Sequence, residues 1–174
     1  VYKGFRELQQ MGLIDRIPAL VPVQAEGCAP MVDGWKRGLE KAEPVRTPTT
    51  RIETLATGDP GRTYTMIRER VIATNGLFES VLDDDAFRAM HVLAKLEGIS
   101  AEPAAAVAFA GLFKLARAGV IKPTDSVVVN CTGHTMPAEQ FLFGENWTRD
   151  VNLPEVMVPA ETPQEGLLAA LNNV

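Results

Sequence analysis

Three consecutive valines are what most restrict the folds open to this chain. The stretch Ser126-Val-Val-Val-Asn-Cys-Thr-Gly-His-Thr135 follows a turn-like Lys122-Pro-Thr-Asp125. A run of β-branched apolar residues without polar alternation suits a short strand buried on both faces. Strands of that kind belong to parallel sheets covered by helices on each side. The expected fold class is therefore α/β: a three-layer, mostly parallel sheet with helices on both faces. The run then breaks into Asn130, Cys131, Thr132, Gly133 and His134, all able to touch a ligand. Ligands of open α/β sheets sit beyond the carboxyl ends of the strands, so this loop is a candidate site. A plain strand-to-loop turn, in which Thr132 and Asn130 bond local backbone groups, is the competing reading.

The other segments alternate between helix and strand patterns, as repeated α/β units do. Phe5, Leu8 and Met11 share one helical face ahead of Gly12, a natural helix stop. Residues 17–26 read as a short buried strand limited by its prolines. Gly27-Cys-Ala-Pro30 turns the chain into a helix over 31–42, with Trp35 and Leu39 facing inward. Residues 43–61 carry Pro44, Pro48 and Pro60 and are mostly irregular. A loop of that length is usually functional or a connection between domains.

A helix over 63–73 and a strand over 76–82 follow, and then Asp83, Asp84 and Asp85 open a helix. One aspartate is expected to cap it, and the others favour its positive end. A calcium loop would need a longer, specifically spaced ligand set. That helix runs over 86–97 with Phe87, Met90, Leu93, Ala94 and Glu97 at helical spacing, and ends at Gly98. Pro103 starts another, through Ala118, which is apolar nearly all round and so expected to be buried. Glu102 at its entrance either accepts helix amide protons or faces a ligand cleft. Phe141, Phe143 and Trp147 read as a cover, and Thr162-Pro-Gln-Glu165 as the capping box of a short closing helix. The expected division is an α/β portion over 1–146 and a C-terminal extension over 147–174.

Bulk properties exclude several classes. The net charge is −5 with interspersed signs, which argues against nucleic acid and against an anionic membrane surface. No apolar run has the length of a membrane span, and the start lacks a signal-peptide pattern. Cys28 and Cys131 are too few for a disulfide framework and fit no metal-ligand spacing. A cytoplasmic protein with reduced thiols and no metal is expected.

Four stretches stand in one order along residues 1–137. They are Lys3-Gly-Phe-Arg-Glu-Leu8 with Gly12-Leu-Ile-Asp-Arg16; Gln24-Ala-Glu-Gly-Cys-Ala-Pro30; Glu102-Pro-Ala-Ala-Ala106 with Ala110-Gly-Leu-Phe-Lys-Leu115; and Cys131-Thr-Gly-His134. Together they resemble the C-terminal half of threonine synthase and its relatives, the fold type II pyridoxal-phosphate enzymes. The resemblance implies pyridoxal 5'-phosphate as cofactor and an amino acid as substrate. It sets the Thr132 hydroxyl against the ring nitrogen, Gly133 at a close backbone approach and His134 beside the ring's polar edge. Glu102 joins them as a cofactor-binding residue. A neutral hydroxyl at that nitrogen tempers the ring as an electron sink, which suits elimination or replacement at the β or γ carbon.

The sequence departs from the family where Thr135-Met-Pro-Ala-Glu139 replaces a further glycine and a Lys-Asp pair. It departs again where alanines follow Glu102-Pro103 in place of the serine often found in relatives. The family's Schiff-base lysine and glycine-rich phosphate loop precede the matched stretch. Lys3, Lys36, Lys41, Lys95, Lys114 and Lys122 all lie in other contexts. No catalytic residue is therefore assigned. The chain, which opens inside a helix without an initiator methionine, is expected to be a fragment inactive alone. It would be completed by a separate N-terminal half and would form a homodimer through the face so exposed. A fragment of a serine/threonine dehydratase is the nearest alternative. A non-catalytic α/β small-ligand-binding or interaction domain is the alternative from another class.

Overall fold

At the centre of the fold, two short strands pair in parallel: β1 (Val23–Ala25) and β2 (Glu79–Val81). Val23 stands opposite Glu79, Gln24 opposite Ser80 and Ala25 opposite Val81. The structure is a computed structural model that describes residues 1–135. Around the strands lie helices α1 (Tyr2–Gln10), α2 (Pro30–Lys36), α3 (Arg62–Ala73), α4 (Asp83–Glu97) and α5 (Pro103–Arg117).

Side chains alternate across a strand, so each face of the sheet takes its own helices. On one face Ala25 and Val81 share a core with Ile52, Ala86 and Ala89 of α4, and Ala106, Val107 and Ala110 of α5. Gly111 of α5 lies against Val23 so closely that an added Cβ would sit 2.7 Å from the Val23 Cγ2. On the other face the Gln24 Oε1 accepts the amides of Met31 at 2.9 Å and Val32 at 3.1 Å. A strand side chain thus satisfies the first amides of α2, which has no capping side chain of its own. Ala29, Val32, Tyr64, Val71 and Phe78 form the second core, and the Tyr64 hydroxyl donates to the Leu39 carbonyl at 2.8 Å. The result is the expected three-layer α/β arrangement.

Helix ends follow local chemistry. Gly12, Gly98 and Gly119 take the left-handed conformation after α1, α4 and α5. α2 is shorter than expected, closing at Lys36. Gly38 (φ +69°) turns the chain, and the Leu39 amide bonds back to the Gly34 carbonyl at 2.8 Å.

Other expectations are corrected by packing. The Phe5, Leu8 and Met11 stripe buries nothing fully, and Met11 is exposed. α1 is tied instead by the Arg70 guanidinium over the Tyr2 ring. The buried face of α4 is Ala86, Ala89 and Leu93; Phe87 and Met90 are half-buried, and Ala94 and Glu97 are exposed. Small residues face α5 because the two helices lie against each other. The aspartate triplet supplies no side-chain cap to α4, because Asp83 is engaged elsewhere. The largest correction concerns the valine run. Residues 126–130 form no strand, and Val128 is 84% exposed. Among the described residues no strand lies beside them, and β propensity without a neighbour to pack on builds nothing. Phe141, Phe143, Trp147, the closing helix and the 146/147 boundary lie outside the described residues.

Candidate functional site

α5 runs opposite to the strands. Its Lys114 reaches the start of β2, donating to the Ser80 carbonyl at 2.6 Å and the Glu79 carboxylate at 3.0 Å. Its earlier residues Ala106 and Val107 share a core with Ala25 and Val81 at the strand ends. The entrance of α5 therefore lies toward the carboxyl edge of the sheet, where ligands of α/β folds are held.

Two distant stretches meet at that entrance. Ala101, 1% exposed, forms an isolated antiparallel bridge with His134, and the Glu102 amide donates to the Gly133 carbonyl at 3.1 Å. An added Cβ at Gly133 would fall on the Glu102 carboxylate, so a side chain there would have to displace the end of Glu102. Glu102 itself is half-buried and makes no capping bond to α5. Of its two readings, helix capping is thus not the one seen. Thr132 and His134 lie exposed on either side of Gly133. All four predicted site residues are brought together: a carboxylate, a hydroxyl, an imidazole and a glycine that admits close approach.

A second feature of the same edge has no signature in the sequence. An open cleft of about 350 Å³ lies just past both strands, lined by Glu26, Gly27, Thr49, Arg51, Leu82, Asp83 and Asp84. One wall is residues 49–52, strapped down by Asp83. The two Asp83 carboxylate oxygens accept the Thr50 hydroxyl and the Arg51 amide, each at 2.7 Å. The Arg51 guanidinium pairs with Asp84 and lies over the Phe87 ring, 4.8 Å from its centroid. Below it, the Thr49 amide donates to the Gly27 carbonyl at 2.9 Å, and Ile52 is buried in the core. Part of the proline-containing stretch 43–61 is thus fixed wall. The available clue is an arginine among threonines and an acidic triplet elsewhere, but nothing local links two segments more than 30 residues apart.

Both cysteines are free. Burial pushes the Cys28 thiol up, while Cys131 is exposed beside Thr132. Among the described residues no group of three or more His, Cys, Asp or Glu side chains is placed to hold a metal. No described helix is long and apolar enough to cross a membrane.

The family model described as "Pyridoxal-phosphate dependent enzyme" matches residues 1–133. The chain belongs to that family. The match covers both described strands, helices α1 to α5 and the candidate site as far as Gly133. Among curated relatives of the pyridoxal-phosphate family, threonine synthase of Methanosarcina acetivorans is 38% identical over 143 residues, covering 80% of this chain and 34% of that protein. Threonine synthase of Methanocaldococcus jannaschii is 32% identical, covering 77% of this chain and 33% of that protein. Cysteate synthase of Methanospirillum hungatei is 34% identical, covering 88% and 37%. The chain thus spans about a third of the length of these relatives. Among solved structures, the T.th. threonine deaminase superposes with a TM-score of 0.54 at 19% identity, covering 68% of this chain and 40% of that one. That likeness speaks for the fold, fold type II, alone.

Proposed function

We propose that this chain is the part of a threonine-synthase-like enzyme that meets the polar edge of a pyridoxal-phosphate ring. The enzyme's reaction would be elimination or replacement at the β or γ carbon of an amino acid. One observation carries the reading: the Ala101–His134 bridge and the Glu102-to-Gly133 hydrogen bond join two family-like stretches at the sheet's carboxyl edge.

The residues present fit one side of the cofactor. The Glu102 carboxyl group lies where a side chain of Gly133 would go, while Thr132 and His134 carry a hydroxyl and an imidazole at exposed positions beside it. When bound, pyridoxal phosphate supplies an electron sink for carbanion chemistry. Thr132 would donate or accept one hydrogen bond at the ring nitrogen without adding charge there. Glu102 would hold the Gly133 strand in place and present a carboxylate beside it. His134 would bond the ring's polar substituents.

A lysine for the cofactor's aldehyde and a phosphate cradle are not assigned to this chain. Lys114, the lysine that reaches the sheet, is held at the opposite edge by Glu79 and the Ser80 carbonyl. We place both functions on a separate N-terminal half. We place the assembly in the cytoplasm as a homodimer, in keeping with the free thiols of Cys28 and Cys131. The boundary between the α/β portion and the C-terminal extension is placed at 146/147. A dehydratase would share this edge and differ in its other half.

Borohydride reduction after incubation with pyridoxal phosphate tests the reading, by intact mass and peptide mapping. The full chain is treated alone and with the N-terminal portion of the M. acetivorans threonine synthase. The expected result is no stoichiometric adduct on this chain, and one adduct on a lysine of the added portion. A stoichiometric adduct on one of this chain's own lysines, or no cofactor uptake in either sample, overturns it.

A further inference from the structure

The turn from α3 into β2 carries a chemically reactive pair that the candidate site does not use. Asn75 is the only asparagine of the chain followed by glycine; Asn130, Asn146, Asn152, Asn172 and Asn173 all precede larger residues. Asn75 is exposed and, alone among the described residues other than glycine, has a positive φ, of +52°. A glycine nitrogen, with no β-carbon beside it, is free to approach the side-chain amide of the residue before it.

In the folded chain that nitrogen is held. The Gly76 amide donates to the Val71 carbonyl at 2.8 Å and the Asn75 amide to the Ile72 carbonyl at 3.1 Å, which closes the end of α3. The backbone beside it is pinned as well. The buried Thr74 hydroxyl accepts the Leu20 amide at 3.2 Å and donates to the Arg70 carbonyl at 2.9 Å. The Leu77 amide donates to the Leu20 carbonyl at 3.3 Å. Gly76 is packed so closely that an added Cβ would lie 2.0 Å from the Leu20 carbonyl oxygen. For its nitrogen to attack the Asn75 side chain, Gly76 must leave Val71, so the cap must first open.

We propose that Asn75 is a spontaneous deamidation site latched by the cap of α3. In the opened cap the Gly76 nitrogen loses its proton and bonds to the Asn75 side-chain carbonyl carbon. The bond from that carbon to Nδ2 breaks, and the nitrogen leaves as ammonia. Water then opens the succinimide ring at either carbonyl, leaving aspartate or isoaspartate in place of Asn75, with no oxidant or reductant needed. Neither product restores the latch. An aspartate puts a negative charge at the negative end of α3. An isoaspartate adds a carbon to the backbone where Gly76 has no free space against Leu20. Because this turn feeds Phe78 of the second core and then β2, modification weakens that core.

Peptide mapping of the full chain aged in mildly alkaline buffer tests it, with isoaspartate read by an isoaspartyl-specific methyltransferase. In unfolding urea, Asn75 should be the fastest asparagine to react. In the folded chain it should react at least about tenfold more slowly, by the same factor that protects the Gly76 amide from hydrogen exchange. Thr74→Val keeps the side-chain shape but loses the hydroxyl; it should speed the folded reaction about three- to tenfold and leave the rate in urea unchanged. Asn75→Gly accepts the left-handed turn and has no amide to lose, so it should keep its melting temperature on ageing while the parent's falls. Equal rates at Asn75 in the folded chain and in urea overturn the proposal. So does a slowing that departs from the Gly76 protection, a folded Thr74→Val variant reacting like the parent, or a parent that melts unchanged once Asn75 is modified. If melting curves show Thr74→Val to be unfolded, the parent's own rate against its Gly76 exchange decides.

Discussion

Replacing Asp83 with alanine removes the clasp that holds the cleft wall. Its side chain is 12% exposed and accepts two hydrogen bonds of 2.7 Å, from the Thr50 hydroxyl and the Arg51 amide. A hydrogen bond to a charged group contributes about 1.5–3 kcal/mol net. Thr50 is half-buried and Arg51 exposed, so the low end of that range applies to each of the two bonds, and Asp83→Ala should cost about 3 kcal/mol. Asp83→Asn separates shape from charge. Its oxygen can keep the Arg51 amide, and its NH2 can donate to the Thr50 hydroxyl oxygen, which already accepts the Ile52 amide at 3.1 Å. Asparagine should therefore cost about 1 kcal/mol, the loss of charge assistance alone. The Arg51–Asp84 pair adds little, because both side chains are more than half exposed. Urea unfolding followed by far-UV circular dichroism gives the two stabilities, and hydrogen exchange at the Arg51 and Ile52 amides shows whether the wall loosens locally. Asp83→Ala within about 0.5 kcal/mol of the parent refutes the reasoning, as that is the usual spread of surface changes. Asparagine costing as much as alanine refutes it as well.

Two further outcomes follow from the contacts between α5 and the strands. Gly111→Ala gains about 1 kcal/mol of helix propensity but overpacks Val23, at about 1–3 kcal/mol, so a net loss is expected. Adding Val23→Ala should recover part of that loss in urea unfolding, and strict additivity of the two changes would show that the close approach is not the cause. For Glu79, burial raises the carboxyl's pKa. The Ser80 amide, the Lys114 ammonium and Lys36 outweigh it and hold the group below its ordinary value. A depressed carboxyl contributes stability above its unfolded value that is lost as pH falls through the folded one. Lys114→Met should therefore lower stability at pH 7 and flatten its decline below about pH 4.5; a decline as steep as the parent's would show that Lys114 does not hold the carboxylate.

What the sequence determined by itself is what depends on neighbours within a turn or two. Gly12, Gly98 and Gly119 end helices because a left-handed residue there costs glycine nothing, and Pro103 opens α5 because its fixed φ suits a first turn. The buried character of α5 was legible for a similar reason, since a helix apolar on most sides has nowhere else to go. Thr132, Gly133 and His134 were legible as a candidate loop after the valine run, but grouping them with Glu102 as one candidate site rested on the resemblance to a family, as no spacing links Glu102 with Thr132. Tertiary structure decided the rest. Asp83 reads locally as a helix cap and becomes a clasp because the Thr50 hydroxyl and the Arg51 amide arrive beside it as donors. α4 turns its alanines inward, because α5 lies too close for Phe87 to be the buried face. Val127, Val128 and Val129 have the composition of a core strand, yet a strand exists only where another backbone supplies the ladder. Helical hydrogen bonds close within one segment and can be read there; β pairing and clasps join segments far apart, so only the folded chain settles them.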